Sequence, residues 1–314
     1  MLSMSFWERR RMLNEEIAKF LGPGSDAHPI FDASGISAMR EGMRMAGAAL
    51  PAPTLEIQDH EANGVPVRLY KPHGMQHVPT PLLVFLHGGG WMLGDIESHD
   101  APCRVLADRA QCAVLAVGYR LAPEHPFPAA LDDCANAFEW ALANAGSLGC
   151  DADRIALGGE SAGANLCAAL TIRFRDRAQD QPAFQFLVHP ATDLLLGQSS
   201  IDDVSLPGMT RSYLEACVRI YVGDQDASHP WISPMRCPDL SNLPRSVIYT
   251  VEVDPLRDDG ENYALALARA GTEVLIQRLP GLPHGFMVLP TSLQAVDRAF
   301  DQLAQCLKSY FGDR

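Results

Sequence analysis

The sequence lacks any long uninterrupted apolar segment. None of its 314 residues lies in a run that approaches the ~20 apolar residues of a membrane-spanning helix. The first twenty residues, MLSMSFWERRRMLNEEIAKF, also lack the unbroken apolar core of a secretory signal. We therefore expect a cytoplasmic protein with no membrane span.

Net positive charge and paired cysteines are also missing. With 25 Lys and Arg against 38 Asp and Glu, the formal net charge is −13 at pH 7. Nucleic acid and anionic membranes bind basic surfaces, so we expect neither as a partner. The eight cysteines are scattered, with no Cys-x-x-Cys pair and no metal-like spacing with histidine. This pattern predicts free, mostly buried thiols and no bound metal.

What the sequence does contain is an alternation of apolar runs and helical segments. After helical patterns at 6–21 and 36–50 and a hairpin pattern at 55–71, apolar runs occur at 82–88, 112–119, 154–159, 184–190, 246–254 and 274–280. Runs without polar alternation are typical of strands covered on both faces. Helices are predicted at 129–145, 162–177, 258–270 and 292–310. The predicted fold class is therefore α/β, with a mainly parallel central sheet flanked by helices.

Residues 195–225 interrupt this alternation with an amphipathic helix at about 210–222. The insertion follows a strand, on the side of the sheet where α/β proteins bind their ligands. It is therefore a candidate lid over a binding site.

The segment IALGGESAGANL at 155–166 carries a serine between two glycines, in the pattern Gly-x-Ser-x-Gly. Taken alone, Ser161 could be an ordinary N-cap of a glycine-rich helix start. A predicted strand runs directly into the motif, however, and a helix begins directly after it. In that context a serine is held on a strained turn with its Oγ exposed at the carboxyl edge of the sheet. The placement predicts that Ser161 is a nucleophile.

A second glycine signal, LHGGGW at 86–91, follows another predicted strand. Acyl transfer needs N–H donors where the carbonyl oxygen becomes negative. In hydrolases with such a serine turn, these donors come from the residue after the nucleophile and from a glycine loop of this kind. We predict an oxyanion hole formed by Gly88, Gly89 and Ala162. His87 is expected to brace the loop by hydrogen bonding.

The order of the catalytic residues in this class is Ser, then an acid, then His. His284 lies in PGLPHGF, the loop after the last predicted strand, whereas His189 and His229 precede the strand that should supply the acid. Asp254 ends that strand. We therefore predict that Asp254 orients His284, which takes the proton of Ser161 and allows an acyl-enzyme to form.

Together these residues resemble the bacterial hormone-sensitive-lipase-like esterases of the α/β-hydrolase superfamily. The matching segments are HGGGW at 87–91, YRLAPEHPFPAA at 119–130, GESAG at 159–163, DPLRDDG at 254–260 and HGF at 284–286. The resemblance implies a carboxylesterase that acts on short- to medium-chain acyl esters, needs no cofactor and forms homodimers in many members. It implies a catalytic core at 51–194 and 226–314 under a helical cap at 1–50 and 195–225, and it agrees with the triad and the oxyanion hole.

Three charged residues near these motifs are expected to support the site rather than to take part in the reaction. Arg120 and Glu124 belong either to a rigid loop before a helix or to the support of the cleft wall. Position 160 holds Glu where the family usually has Asp. Because neighbouring side chains at a strand end point to opposite sides, Glu160 is expected to face away from the pocket. We expect it to accept hydrogen bonds from the glycine loop or the Arg120 segment.

Other reactions use the same residues. The fold does not decide which acyl bond is cleaved, so an amidase or a thioesterase is the alternative within the enzymes. A silent ligand receptor of this fold would lack the serine or the histidine, and both are present. A dehalogenase would need Asp in place of Ser161. We therefore expect a small-molecule ester as the substrate.

Overall fold

The computed structural model describes residues 13–22, 31–75, 79–204 and 206–312. Within these residues, eight strands form one sheet in the order β1-β2-β4-β3-β5-β6-β7-β8. The first two strand pairings, β1 with β2 and β2 with β4, are antiparallel, and the others are parallel. The strands are β1 (Glu56–Ala62), β2 (Val65–Lys71), β3 (Thr80–Leu86), β4 (Ala113–Val117), β5 (Cys150–Glu160), β6 (Gln185–Val188), β7 (Ser246–Val253) and β8 (Val274–Pro283). The predicted fold class is confirmed.

Nine α-helices lie within the described residues. They are α1 (Glu15–Leu21), α2 (Ala33–Ala48), α3 (Asp100–Ala110), α4 (Ala129–Asn144), α5 (Ala162–Asp176), α6 (Ser200–Asp203), α7 (Arg211–Val222), α8 (Arg257–Arg269) and α9 (Gln294–Gly312). The part of the first predicted helix at 6–12 lies outside the described residues. In the described part of the chain, no helix has the length and apolar character needed to cross a membrane.

Helix α3 is an element that the sequence patterns do not predict. Pro102 lies in its first turn, where proline is tolerated because the missing N–H has no partner inside the helix. Seven of its eleven residues are buried, so packing rather than a clear apolar stripe stabilises it. Its N-cap is His99, which contributes to the site described below.

Strand β3 shows why the apolar runs have no polar alternation. Leu82, Val84 and Leu86 pack into the apolar cluster that contains helices α4, α5 and α8. Leu83 and Phe85 point to the other face and pack with α3 and α9. All seven residues of the strand are buried. The sheet is therefore covered on both faces, as the apolar runs predict.

The parallel strands bring five chain segments to one edge of the sheet. The glycine loop follows β3, Ser161 follows β5, His189 follows β6, Asp254 follows β7 and His284 follows β8. Since carboxyl ends of parallel strands meet at the same edge, these segments surround one point. All eight cysteines are free thiols, six of them buried, as predicted.

Candidate active site

Ser161 lies on the turn between β5 and α5 in a conformation that few non-glycine residues adopt. Its φ is 52° and its ψ is −118°, which is a strained region for a residue with a side chain. The flanking glycines make room for the turn. A Cβ on Gly159 would lie 2.5 Å from the carbonyl oxygen of Leu86, and one on Gly163 would lie 2.0 Å from it. The turn therefore packs directly against the end of β3.

Ser161, His284 and Asp254 are positioned like a catalytic triad. Nε2 of His284 lies 2.8 Å from Oγ of Ser161, and Nδ1 of the same ring lies 3.0 Å from Oδ1 of Asp254. Asp254 is fully buried, and its Oδ1 also accepts the N–H of Leu256 at 2.7 Å. The backbone N–H of His284 donates to the carbonyl of Val253 at 3.1 Å. Both sides of the imidazole are therefore held.

The glycine loop lies beside Ser161, and Gly88, Gly89 and Gly90 line the same cavity. Gly89 has a φ of 119°, and a Cβ there would lie 2.2 Å from the carbonyl oxygen of Leu93. A side chain at this position is excluded on both grounds. Ala162 is the first residue of α5, so its N–H has no partner within the helix.

His87 lies beneath the glycine loop and holds it. Its Nδ1 is 2.8 Å from the carbonyl oxygen of Gly88, so this nitrogen donates. The ring stacks on Tyr119 at 4.1 Å, and the Tyr119 hydroxyl donates to the carbonyl of His87 at 2.7 Å. Burial lowers the pKa of His87 to about 3, so the ring is neutral. A neutral, buried donor of this kind is suited to holding the glycine loop in place.

A cavity of about 320 Å³ opens above Ser161 and His284. Its catalytic side is formed by Gly88, Gly89, Ser161 and His284; we call these residues, together with Asp254 beside His284, the floor. Apolar side chains face the floor from helix α2, the segment before α7, and α7 itself; we call them the roof: Met43, Leu206, Met209, Leu214 and Val218. The roof therefore places apolar side chains directly above Ser161.

Glu160 is 2% exposed, and its carboxylate lies against Gly88. Its Oε1 accepts the Nε2–H of His99 at 2.8 Å, and its Oε2 lies 3.3 Å from Nε2 of His189. Burial opposes the charge, but the hydrogen bonds of His189 and His99 outweigh it and hold the pKa of Glu160 below its usual range. The predicted partners were therefore wrong, because the donors are two histidines distant in sequence.

Arg120 and Glu124 do not line the cavity. Arg120 forms a bidentate ion pair with Asp133 of α4, with a shortest distance of 2.7 Å. Both oxygens of Glu124 accept hydrogen bonds from Arg40 of α2 at 2.8 Å, and this partner lowers the pKa of Glu124 to about 2. Arg40 also donates to the carbonyl of Met92, the second residue after the glycine loop. These contacts tie α2 to the core from outside the cavity.

His189 is the residue at the site that the sequence argument set aside. It is fully buried, has a φ of 36°, and its ring centroid lies 4.3 Å from that of His284. Burial lowers the pKa of His189, and the neighbouring His284 lowers it further, so this ring is neutral. The signal that could have found it is its position directly after a buried strand at the carboxyl edge.

His189, Asp254 and His284 also have the spacing of a metal site, with one ligand atom from each residue within 4.8 Å of the others. Both ring nitrogens of His284 already face Ser161 and Asp254, however. A metal ligand would have to give up one of these contacts. The donor set therefore fits a triad better than a metal centre.

Comparison with known proteins gives consistent matches over most of the chain. The model of a family described as having the α/β-hydrolase fold matches residues 83–288. An arylesterase of Saccharolobus solfataricus is 39% identical over 251 residues, which cover 77% of this chain and 78% of that protein. A carboxylesterase of Mycobacterium tuberculosis is 40% identical over 253 residues, 77% of this chain and 79% of its own. The solved structure of an esterase from Pyrobaculum calidifontis superposes with a TM-score of 0.85 at 35% identity and covers 95% of this chain and 98% of its own.

Proposed function

The chain belongs to the α/β-hydrolase family, among its hormone-sensitive-lipase-like esterases, and on this basis we propose that it hydrolyses short- to medium-chain acyl esters with Ser161 as the nucleophile. It is a carboxylic ester hydrolase, as its arylesterase and carboxylesterase relatives are named. One observation supports the assignment of the nucleophile above all others. The Oγ of Ser161, on its strained turn, lies 2.8 Å from Nε2 of His284 at the base of an apolar cavity.

In the proposed mechanism, Ser161 Oγ attacks the ester carbonyl carbon while His284 Nε2 takes its proton. Asp254 stabilises the resulting imidazolium from the Nδ1 side. The oxygen that becomes negative accepts N–H groups of Gly88, Gly89 and Ala162, each of which contributes roughly 3–4 kcal/mol in comparable sites. His284 then gives the proton to the leaving alcohol. A water molecule attacks the acyl-enzyme by the same steps and releases the carboxylic acid.

The roof supports the preference for short acyl chains. At about 320 Å³, the cavity lies at the lower end of the range for small-molecule sites. The roof side chains are apolar, which suits an acyl chain. We assign the roof to a helical cap formed by residues 1–50 and 195–225, above a core at 51–194 and 226–314.

We further propose a cytoplasmic location and a homodimer. Eight free thiols favour a reducing compartment. Strand β8 is at the edge of the sheet, and Ile276 on it and Leu265 on the adjacent α8 are 44% and 53% exposed. An open edge of this kind favours pairing with a second copy. Light scattering of the purified protein tests the dimer, which a monomeric mass at micromolar concentration would exclude.

A chain-length series with p-nitrophenyl esters tests the proposed function. We expect hydrolysis of the acetate through the hexanoate and a sharp fall for acyl chains beyond about ten carbons, because the roof limits the room for an acyl chain above the floor. Ser161→Ala should lower kcat by about 10⁴-fold or more. p-Nitroanilides of the same acyl groups distinguish an amidase. An active Ser161→Ala protein, or a preference for long-chain emulsions, would contradict the proposal.

A further inference from the structure

Beside the triad, and among the residues that line the same cavity, lies a second carboxylate–imidazole pair, Glu160 and His189, which we call the rear pair. Oε2 of Glu160 is 3.3 Å from Nε2 of His189. The ring of His189 lies against that of His284, with centroids 4.3 Å apart and planes inclined by 52°. Glu160 is 2% exposed and His189 is fully buried. His189 therefore separates a buried carboxylate from the proposed base.

The hydrogen bond of Glu160 with His99 and its 3.3 Å contact with His189 determine the protonation state of the rear pair. Both of its oxygens face imidazole nitrogens, Nε2 of His99 at 2.8 Å and Nε2 of His189 at 3.3 Å. An ionised carboxylate can only accept, so each of these nitrogens carries its proton. Burial keeps His189 neutral, which leaves its Nδ1 as an acceptor. The rear pair thus carries one negative charge and no positive charge.

This charge lies close to where a positive charge forms during hydrolysis. When His284 takes the proton of Ser161, its imidazolium lies between Asp254 at Nδ1 and the ring of His189. A carboxylate that is separated from an imidazolium by one imidazole ring stabilises it, because a buried site screens charges weakly. An imidazole between the two groups that donates its N–H to the carboxylate gains electron density on its other side, which also favours the positive charge on His284.

We propose that His189 is a positioning residue for the ester hydrolysis, which holds the ring of His284 toward Ser161 and couples the charge of Glu160 to the imidazolium. The inference depends on the proposed function, because it assigns His284 as the base. In this proposal Glu160 acts on the charge of the His284 imidazolium in addition to bracing the turn, and the neutral, buried His189 transmits this effect.

The groups around the rear pair come from every packed element. His189 faces Glu160 from β5, His284 from the loop after β8 and Asp254 after β7. Phe286 contributes an apolar edge at 5.8 Å. Further titratable side chains around the pair interact with these groups: His99, His87, Cys103, Tyr119 and Asp259. Of these, His99 touches Glu160 directly, so variants of Glu160 are compared with His99 intact.

Four variants test the proposal. His189→Phe keeps a ring against His284 and removes both nitrogens. His189→Gln keeps an N–H donor for Glu160. Glu160→Gln removes the charge and keeps the shape, and the double variant Glu160→Gln, His189→Phe measures the coupling. His125→Phe is the matched control, because this histidine is exposed and lies outside the cavity. Each protein is assayed for kcat and KM with p-nitrophenyl butyrate across the acidic pH range, and its thermal midpoint is recorded.

We expect His189→Phe and Glu160→Gln each to lower kcat by about tenfold with little change in KM. Each should also move the acidic limb of the kcat profile to lower pH by about half a unit. Glu160→Gln removes the carboxylate and His189→Phe removes the imidazole that couples it to His284, and either loss makes the imidazolium of His284 less favourable. The kcat of the double variant should fall no further than that of the more impaired single variant, since both changes interrupt the same coupling. His189→Gln should recover most of kcat, and His125→Phe should match the wild type.

The acidic limb of the kcat–pH profile distinguishes a positioning role of His189 from a role in packing alone. An unmoved limb in Glu160→Gln overturns the proposal, and this holds even if His189→Phe does not fold. Additive effects in the double variant, or a His189→Gln protein no better than His189→Phe, overturn it as well. The Ser161→Ala protein keeps the two proposals apart. If it is active, the proposed function fails; if it is inactive and the limb does not move, only the role of His189 fails.

Discussion

The floor and the roof of the cavity are built in different ways. The floor consists of backbone N–H groups and side chains at the ends of parallel strands, with Asp254 fully buried and the side chain of His284 only 11% exposed. The roof consists of apolar side chains from segments anchored by exposed ion pairs. One of these, Arg211 with Asp202, has side chains that are 38% and 66% exposed. The floor needs fixed distances between polar atoms, whereas the roof needs only apolar volume.

The energies of the two kinds of contact differ accordingly. An exposed ion pair contributes about 0–1 kcal/mol to stability. Removing one partner of a buried charged pair typically costs about 3–5 kcal/mol, since the other partner stays buried without compensation. Substitutions on the floor should therefore abolish the reaction, and substitutions on the roof should change which ester is preferred.

The largest effect is expected on the floor, from Asp254→Asn. The variant keeps an oxygen that can accept from Leu256 and from His284, but it loses the charge that stabilises the imidazolium. We expect kcat for p-nitrophenyl butyrate to fall by about 10³- to 10⁴-fold. Asp153→Asn, on an exposed part of β5, is the control. A loss of less than tenfold in Asp254→Asn would remove Asp254 from the triad.

A smaller and selective effect is expected on the roof, from Val218→Trp. Val218 of α7 is partly exposed and lines the cavity, so a larger side chain there occupies space that an acyl chain would use. We expect the ratio of kcat/KM for hexanoate over acetate to fall about tenfold, while acetate hydrolysis changes by less than about threefold.

Glu215→Trp is the matched control for that variant, because Glu215 lies on the same helix with its side chain 59% exposed. It adds the same indole outside the cavity and should leave the ratio unchanged. Equal losses on acetate and hexanoate in Val218→Trp would mean that the roof also positions the floor, and the contrast between the two regions would fail.

The smallest effect is expected where α2 is attached to the core, from Arg40→Ala. Arg40 binds Glu124 and also donates to the carbonyls of Met92 and Ala122 at 2.8 and 2.9 Å. Removing it should lower the thermal midpoint by about 2–4 °C and change kcat by less than about twofold. Arg44→Ala, which loses only carboxylate contacts, should lower the midpoint less. A tenfold loss of kcat in Arg40→Ala would show that the roof controls the chemistry.

The sequence predicts the floor well because local rules determine it. A strand buried on both faces produces an unbroken apolar run, and a nucleophile turn needs glycines at fixed offsets from Ser161. The fixed order of nucleophile, acid and base then identified Asp254 and His284. Each of these signals lies within a short segment, so it can be recognised from one sequence without knowing which distant segments come into contact.

The supporting contacts could not be predicted because they join distant segments. His99 lies 61 residues before Glu160 and caps a helix whose sequence shows no clear apolar stripe. Arg40 lies 84 residues before Glu124. The rule that places the base after the acid excludes His189, and it contains no information about a second ring that packs against His284. Partners of this kind depend on the register and packing of the whole sheet.

The contact between Gly163 and the carbonyl oxygen of Leu86 has a consequence for protein engineering. Leu86 is the last residue before the glycine loop begins, and the missing Cβ of Gly163 allows the nucleophile turn to touch it. The spacing between the Ser161 turn and the glycine loop is thus set by direct contact of main chain with main chain. Directed evolution of this scaffold has no side chain at position 163 to vary. Mutagenesis can therefore change the residues that line the cavity, but it cannot adjust this spacing by substituting a side chain.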